Sequence, residues 1–308
     1  MSLRNLTLRQ LKIFEAVARH LSFSRAAEEL HLSQPAVSMQ VKDLESSVEL
    51  ALFERVGKTL FVTDAGRELL RHTRDVLRAL TDAQETLDHL KGLERGRVSV
   101  AVVSTAKYFA PELLARFRER HRAIELRLVV HNREVVIEQL CTNQVDLAIM
   151  GTPPAAPAMR AEAFAPHPNV IIAPPHHPLA SRRRLPVSAL RDEVFLVREP
   201  GSGTRSAMQK FFEERDIEVL VGMEMASNES IKQAVMAGLG ISFLSRHTVE
   251  LELQTGRLVL LNVVGLPVVR NWHVVHLMDK RLSPSAFALR SFVLEQGREI
   301  LRATVGGQ

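Results

Sequence analysis

The chain has 308 residues, a hydrophobic fraction of 46% and a formal net charge of +5. That length suggests two or three domains, and the hydrophobic fraction is ample for packed cores. The single cysteine, Cys141, excludes an intrachain disulfide and suits a reducing compartment. We expect Cys141 to be a small core residue. No signal peptide opens the chain and no apolar run is long enough to span a membrane, so we expect a cytoplasmic protein with no membrane partner.

Residues 23–41, FSRAAEELHLSQPAVSMQV, have the pattern of two short helices joined by a tight turn. We expect Ser24 to cap the first helix, His31 to take a left-handed turn conformation, and Ser33 to begin the second helix with Pro35 in its first turn. The second helix has a buried stripe of Val37, Val41 and Leu44 and an outward face of Gln34, Ser38, Met39 and Lys42. This pattern predicts a helix-turn-helix whose second helix meets base edges in a major groove. A plain helical hairpin in a globular core is the alternative.

The flanking segments favour the DNA-binding interpretation. Thr7 and Gln10 form a capping box before a helix whose apolar face is predicted to hold Leu8, Leu11, Phe14, Val17 and Ala18. Residues 52–63 have the pattern of a β-hairpin with a Gly-Lys turn, as in a winged helix. Arg55 and Lys58 would then lie at the wing, where they can hold phosphate or enter a minor groove. Residues 1–62 carry eight Lys and Arg against seven Asp and Glu, so a binding surface depends on local placement.

These motifs resemble a known family. LRQLKIFEAVA (8–18), SFSRAAEELHLSQPAVS (22–38) and LFERVGKTLFVTDAG (52–66) are similar to the N-terminal domain of LysR-type transcriptional regulators. The resemblance implies a winged helix-turn-helix that binds double-stranded promoter DNA. Two positions depart from the family pattern: Met39 stands where many members carry Arg, and Glu49 where many carry Gly. Glu49 must therefore adopt the left-handed conformation at a cost on the order of 1 kcal/mol or end the helix differently.

Residues 64–91 have a heptad pattern typical of a coiled coil. Its seam comprises Leu69, Thr73, Val76, Leu80, Ala83, Leu87 and Leu90. We expect this helix to pair with a second copy of the chain, since a two-fold dimer can read two DNA half-sites. A long helix packed on its own domain is the alternative. Gly92 and Gly96 mark a hinge over residues 92–96.

From residue 97 onward, strand patterns alternate with helix patterns, which predicts doubly wound α/β units. Predicted strands cover 98–103, 125–130, 145–150, 169–173, 194–197, 223–225, 241–244 and 270–277, and predicted helices cover 111–120, 135–141, 204–215, 230–237 and 285–301. This region resembles the effector-binding part of the same family, two Rossmann-like subdomains of the periplasmic-binding-protein type. The resemblance implies a DNA-binding domain at 1–63, a linker helix at 64–91, subdomain I at 97–165 with 271–302, and subdomain II at 166–270.

Two loops in this region have ligand-binding chemistry. Ser104, Thr105 and Lys107 follow the first strand, and Ser202, Gly203, Thr204 and Arg205 lie between a later strand and its helix. Hydroxyls and free backbone N–H groups at such places can hold an anion, although serine and threonine also serve there as plain helix caps. Asn132, Gly151 and Thr152 also fall just past strand ends. Together these residues predict a small anionic effector, phosphorylated or carboxylated.

STAKYFAPELL (104–114) and REPGSGTR (198–205) resemble a narrower branch, the CbbR regulators of Calvin-cycle operons. That branch responds to phosphorylated metabolites or nucleotides such as NADPH. The resemblance implies an activator that forms dimers and tetramers, contacts RNA polymerase and has no fixed cofactor. Thr152 stands where the branch often has Arg. A LysR-type regulator of another pathway, with a carboxylate or inorganic-anion effector, is one alternative. A cytoplasmic small-molecule binding protein or enzyme is a remoter one.

Other candidate sites are weak. His273 and His276 share a predicted strand, but their spacing puts them on opposite faces, so we expect no metal site. Ser202 does not lie in a G-x-S-x-G elbow, and we expect no catalytic residues.

Overall fold

The structure, a computed structural model, describes residues 6–57, 59–90, 95–154 and 158–304. The chain divides into two compact units, one of residues 1–92 and 142–144 and the other of residues 93–141 and 145–308. Residues 92–94 of the expected hinge lie outside the described residues, as does Lys58 of the expected wing. Of the helices described, none combines the length and the apolar character needed to cross a membrane.

The first unit begins with the predicted helix-turn-helix and wing. Helices α1 (Leu8–His20), α2 (Phe23–Glu29) and α3 (Gln34–Val48) precede a hairpin of β1 (Phe53–Val56) and β2 (Thr59–Val62). The predicted capping box of Thr7 and Gln10 starts α1, because each residue's side chain accepts a backbone N–H of the other. The three helices and the hairpin bury one apolar core around Phe14, Val37 and Leu44.

The cap of α2 is not the predicted one. Ser22 precedes the helix, and its hydroxyl accepts the backbone N–H of Arg25. Ser24 lies two residues later, inside the helix, where it cannot serve as the cap. His31 and Glu49 both adopt left-handed backbone, with φ of 53° and 57°. The conformation expected for His31 is thus confirmed, and α3 ends on a left-handed glutamate.

The buried face of α1 differs from prediction at its first residue. Leu8 is 46% exposed, whereas Leu11, Phe14, Val17 and Ala18 are buried as expected. Leu8 lies in the first turn of the helix. Ile13 and Ala16 are also buried, so the buried face is centred further along the helix than predicted.

The second hairpin strand leads into α4 (Asp64–Leu90), which occupies most of the predicted linker segment; residue 91 lies outside the described residues. Thr73 of the predicted seam is buried, but Val76, Leu80 and Leu87 are 43%, 45% and 54% exposed. These exposed side chains follow heptad spacing along one stripe, as an interface with a second helix requires. The side chain of Leu90, the last seam position, is outside the described part of the chain.

The second unit alternates strands and helices as predicted. Its strands are β3 (Gly96–Val103), β4 (Ile124–His131), β5 (Leu147–Met150), β6 (Met159–Ala173), β7 (Val194–Arg198), β8 (Leu220–Met225), β9 (Ser242–Ser245), β10 (Val259–Leu260) and β11 (Val268–Leu277). Its helices are α5 (Ala110–Arg120), α6 (Arg133–Cys141), α7 (Gly203–Glu213), α8 (Asn228–Met236), α9 (Glu250–Gln254) and α10 (Pro284–Thr304). Cys141 is exposed at the end of α6, so its predicted place in the core is wrong.

Seven strands of the described chain form one sheet in the order β10-β6-β11-β5-β3-β4, with β9 also paired to β6. Strand β3 is parallel to β4 and β5, and β7 pairs in parallel with β8 in a separate two-stranded sheet. One core surrounds β3 and includes Phe117 and Trp272, and another includes Phe195 and Phe243. The carboxyl ends of parallel strands are where such folds place ligands.

The long antiparallel strands β6 and β11 connect the two halves of this unit. They pair from Val268 opposite Asn169 to Leu277 opposite Met159. The predicted subdomain boundaries at 165/166 and 270/271 fall inside these two crossover strands. Strand β6 begins at Met159, ten residues before the predicted start at Asn169. Pro166 and Pro168 argue against a strand in the sequence, but the structure accommodates both. Within the described chain, β9 and β10 pair with β6 only from Asn169 onward, which leaves one edge open at Pro166 and Pro168.

Candidate functional site

Helix α3 presents a polar surface at its N-terminal end. The Ser33 hydroxyl accepts the Ala36 N–H at 3.4 Å and so starts the helix. The other predicted DNA-contacting residues on this helix are Gln34, Pro35, Met39 and Lys42, which are exposed, and Ser38, which is half-buried. Amide, hydroxyl and ammonium groups can bond base edges and phosphates, and an exposed methionine can contact a thymine methyl.

The wing is held by its apolar side chains and exposes a cation. Phe53 and Leu60 are buried against the helices, whereas Arg55 is exposed on β1. Gly57 takes a φ of 63° at the hairpin turn. The guanidinium of Arg55 is therefore free to approach a DNA backbone or minor groove.

An ion cluster links α1 to α2. Arg19 donates two hydrogen bonds to the Glu29 carboxylate, at 2.8 and 2.6 Å, and His20 Nε2 lies 2.7 Å from the same group. The hydrogen bonds from Arg19, and then from His20, lower the pKa of Glu29 to about 2. The cluster adds a surface link between the first two helices, which share a buried core with α3.

A small cavity lies in the second unit, where the ends of β3, β4, β5 and β7 approach the crossover strands. Its volume is about 30 Å³. We call it the crossover cavity, and its lining is Val103, Ser104, Thr105, Asn132, Arg133, Met150, Gly151, Thr152, His167, Arg198, Glu199, Ser202, Gly203, Thr204 and Arg270. The structure thus brings together eight of the ten effector residues predicted from sequence: Ser104, Thr105, Asn132, Gly151, Thr152, Ser202, Gly203 and Thr204.

Lys107 and Arg205, the two other predicted residues, lie outside this lining. Lys107 Nζ is 3.7 Å from a carboxylate oxygen of Glu229. Arg205 donates to the Arg198 carbonyl at 2.8 Å and pairs with Glu224. Both residues follow their loops into the first helical turn, which carries their side chains to other partners.

Arg198 is a buried cation at the end of β7, with 3% of its surface exposed. Its Nε and Nη2 donate to the two carboxylate oxygens of Glu199 at 2.7 and 2.8 Å. Its remaining hydrogen bonds go to Ser104 Oγ at 3.1 Å and to Asn228 Oδ1. A neighbouring carboxylate therefore occupies the Nε–Nη2 edge through which this guanidinium would hold an anion with two parallel hydrogen bonds.

Two further arginines border the cavity. Arg270 on β11 donates to Thr152 Oγ1 at 2.7 Å and to the Gly203 carbonyl at 3.1 Å. Arg133 donates to the Thr152 carbonyl at 2.9 Å. Burial lowers the pKa of Arg270 to about 10, so its guanidinium is charged at neutral pH. The lining therefore carries three guanidinium groups and one carboxylate, a charge balance that attracts anions.

The crossover strands supply an aromatic wall. The His167 ring stacks on Trp272 with centroids 3.9 Å apart and planes 17° apart. Both residues are buried, at 2% and 0% exposure. A Cβ placed on Gly151 would come within 2.5 Å of His167 Nδ1, so glycine is needed for this close approach.

Sequence reasoning missed Arg133, His167, Arg198, Glu199 and Arg270. Arg198 and Glu199 stand in the quoted motif REPGSGTR, and a buried strand that ends on a charged pair is a signal for them. His167 and Arg270 gave no such signal, because they meet only through the pairing of strands a hundred residues apart. In the described ranges, no group of three or more His, Cys, Asp or Glu side chains could hold a metal ion.

A winged helix-turn-helix joined to a two-lobed α/β unit with an anion-attracting cavity defines a class of DNA-binding regulator. Residues 8–67 match the family model described as bacterial regulatory helix-turn-helix protein, lysR family. Residues 91–298 match the LysR substrate binding domain. The chain therefore belongs to the LysR family of transcriptional regulators, which bind DNA and small effectors and are not enzymes.

Among its relatives, the chain is 53% identical to the RuBisCO operon transcriptional regulator of Allochromatium vinosum, over 95% of this chain and 97% of that protein. It is 50% identical to the HTH-type transcriptional regulator CfxR of Cupriavidus necator, over 99% and 96%. The regulatory domain of Synechocystis CcmR, solved in complex with 2-PG, is 40% identical with a TM-score of 0.62. That match covers 65% of this chain and 98% of the solved one.

Proposed function

We propose that this chain activates carbon-fixation operons by binding their promoter DNA, and that a small phosphorylated metabolite in the crossover cavity controls it. The charge of that cavity is the observation that carries the effector class. Arg133, Arg198 and Arg270 line it against the single carboxylate of Glu199. The likeness of the whole chain to a regulator named for the RuBisCO operon supports the choice of pathway.

The size of the cavity favours a small metabolite over a nucleotide. A volume of about 30 Å³ accommodates no more than a few water molecules, so any effector has to move the walls apart. A phosphorylated compound of two or three carbons needs far less opening than NADPH. We take 2-phosphoglycolate as the first compound to test, since a relative of this chain binds 2-PG. An incoming phosphate would compete with Glu199 for Arg198.

Assembly of several copies fits the same proposal. The exposed stripe of Val76, Leu80 and Leu87 on α4 is suited to pair with a second copy. Two winged helices would then read two half-sites of a two-fold promoter, and pairing of effector units would give a tetramer. Effector binding would bias a pre-existing equilibrium between assemblies with differently spaced DNA-binding heads. Such a regulator works in the cytoplasm, where the promoter DNA is.

The experiment uses Trp272, the single tryptophan of the chain. Because it stacks on the cavity residue His167, its fluorescence should change when the cavity fills. We would titrate the full-length protein with 2-phosphoglycolate, ribulose bisphosphate, phosphoenolpyruvate, NADPH and non-phosphorylated carboxylates. We expect a saturable change with a phosphorylated compound. Thr105→Ala and Thr204→Ala should weaken it, whereas Thr255→Ala, at the end of α9 outside the cavity, should not.

The opposite results are equally informative. A response only to non-phosphorylated carboxylates would keep a regulator of this family but refute the phosphorylated effector. A normal response in both Thr105→Ala and Thr204→Ala would place the effector outside the crossover cavity.

A further inference from the structure

His167 is a buried histidine with unsatisfied hydrogen-bonding capacity at the cavity. It is 2% exposed, and neither ring nitrogen has a hydrogen-bond partner among the described residues. Buried polar groups in folded proteins are paired as a rule, so an unpaired imidazole that lines a cavity points to a missing partner. The ring borders the crossover cavity, and its Nδ1 lies against Gly151, another residue of the lining.

The ring cannot readily turn to find another partner. One face stacks on Trp272 at 3.9 Å between centroids. Trp272 is itself held edge-on by Phe109, at 4.9 Å, and His247 lies edge-on to both rings, at 6.2 Å from His167 and 6.0 Å from Trp272. The strand fixes the backbone, with His167 opposite Arg270 in the β6–β11 register. The hydrogen-bonding edge of His167 is thus held in place beside the cavity.

The charges around this ring favour its neutral form while the cavity holds no anion. Arg270 and His273 face it from β11, and His247 faces it from the turn after β9; Arg133, Arg198 and Glu199 line the cavity around it. Burial first, and then Arg270, holds the pKa of His167 well below its ordinary value. An anion in the cavity would reverse the local field and favour the imidazolium.

We propose that His167 binds the effector anion directly and takes up one proton from solvent as the anion enters. The neutral imidazole becomes an imidazolium whose N–H donates to an anionic oxygen of the ligand. This inference rests on the proposed function, since it needs an anionic effector. His167 would favour multiply charged anions over neutral sugars, because only an anion compensates the charge of the imidazolium.

Proton uptake gives the binding a defined pH dependence. A step that takes up one proton becomes weaker as pH rises, by up to about ten-fold in Kd per pH unit. This holds while His167 is neutral in the free protein and protonated in the complex. Phosphate monoesters titrate near pH 6, so measurements above about pH 7.5 separate the protein's proton from the ligand's own.

Calorimetry of the full-length protein with 2-phosphoglycolate at about pH 8 tests the inference. Repeating the titration in two buffers of different ionisation enthalpy gives the number of protons taken up. We expect about one proton per protomer for the unmodified protein and for His176→Gln, an exposed control. We expect no uptake by His167→Gln, and binding weakened by about ten-fold or more. Ligand binding should quench Trp272 emission more in the unmodified protein than in His167→Gln, because only the unmodified protein stacks an imidazolium on Trp272.

The unmodified protein tests the inference even if His167→Gln fails to fold. Saturable binding without proton uptake would overturn the role of His167 and leave the proposed function intact. Uptake retained in His167→Gln but lost in His247→Gln would assign the proton to His247 and also overturn it. If 2-phosphoglycolate, ribulose bisphosphate and phosphoenolpyruvate all fail to bind, the phosphorylated effector is refuted and this inference is refuted with it.

Discussion

Arg270 should contribute to effector binding more than to folding. It is a partly buried cation that bonds only to a hydroxyl and a carbonyl in the contacts described above, at 2.7 and 3.1 Å. Burial lowers the pKa of Arg270 to about 10, which corresponds to a desolvation cost on the order of 3 kcal/mol for the charged form. An anion beside the guanidinium would offset that cost.

The expected loss of effector affinity follows from the hydrogen bonds that Arg270 would donate to the ligand. Hydrogen bonds to a charged group contribute about 1.5–3 kcal/mol, which is about 10- to 150-fold in Kd. We therefore expect Arg270→Met to weaken effector binding by that factor. The free energy of unfolding without effector should change by less than about 2 kcal/mol, because the lost hydrogen bonds and the relieved desolvation oppose each other.

Two measurements on the same preparations check this expectation. Trp272 fluorescence or calorimetry gives the Kd for 2-phosphoglycolate, and denaturant unfolding gives the stability. Arg257→Met, which removes an exposed arginine of the same unit, is the matched control and should change neither. An unchanged Kd in Arg270→Met would refute the reasoning. A large loss of stability without effector would show instead that Arg270 mainly holds the crossover strands together.

Three further predictions concern other parts of the molecule. Glu199→Gln removes the carboxylate that occupies Arg198, so calorimetry should find 2-phosphoglycolate bound several-fold more tightly. Weaker binding would contradict the idea that Glu199 and the effector compete for Arg198. Leu80→Glu places a charge on the exposed stripe of α4 and should shift the protein toward monomer in analytical ultracentrifugation, whereas an unchanged mass would locate the dimer interface elsewhere. Ser38→Ala should weaken specific promoter binding in an anisotropy assay while leaving the melting temperature unchanged; equal promoter affinity would remove Ser38 from the contact surface.

The N-terminal unit could be predicted almost to the residue because its signals are local. Caps, turn residues and the spacing of apolar side chains act within a few positions of each other, and Ser33 and His31 behave as those rules require. The misplaced cap at Ser24 shows the limit of such rules. Two serines two residues apart, Ser22 and Ser24, both satisfy the local pattern, and the structure uses Ser22.

The cavity could be predicted only in part. Loops at strand ends were recognisable from sequence, so Thr105 and Thr204 were found by their position. The crossover strands supply His167 and Arg270 from distant parts of the chain, and their meeting depends on register rather than on any local pattern. Lys107 is the converse case, since its loop suggested a ligand contact but the following turn directs it to Glu229.

The central claim is that an anion in the crossover cavity controls promoter binding by this regulator. DNase I footprinting on DNA upstream of a carbon-fixation operon, with and without 2-phosphoglycolate, tests it most directly. We predict a sequence-specific footprint whose affinity falls steeply with salt. The metabolite should change the affinity or the length of the footprint, and Arg270→Met should keep the footprint but lose that change. Equal protection of unrelated DNA, or a footprint that no phosphorylated compound alters, would contradict the account.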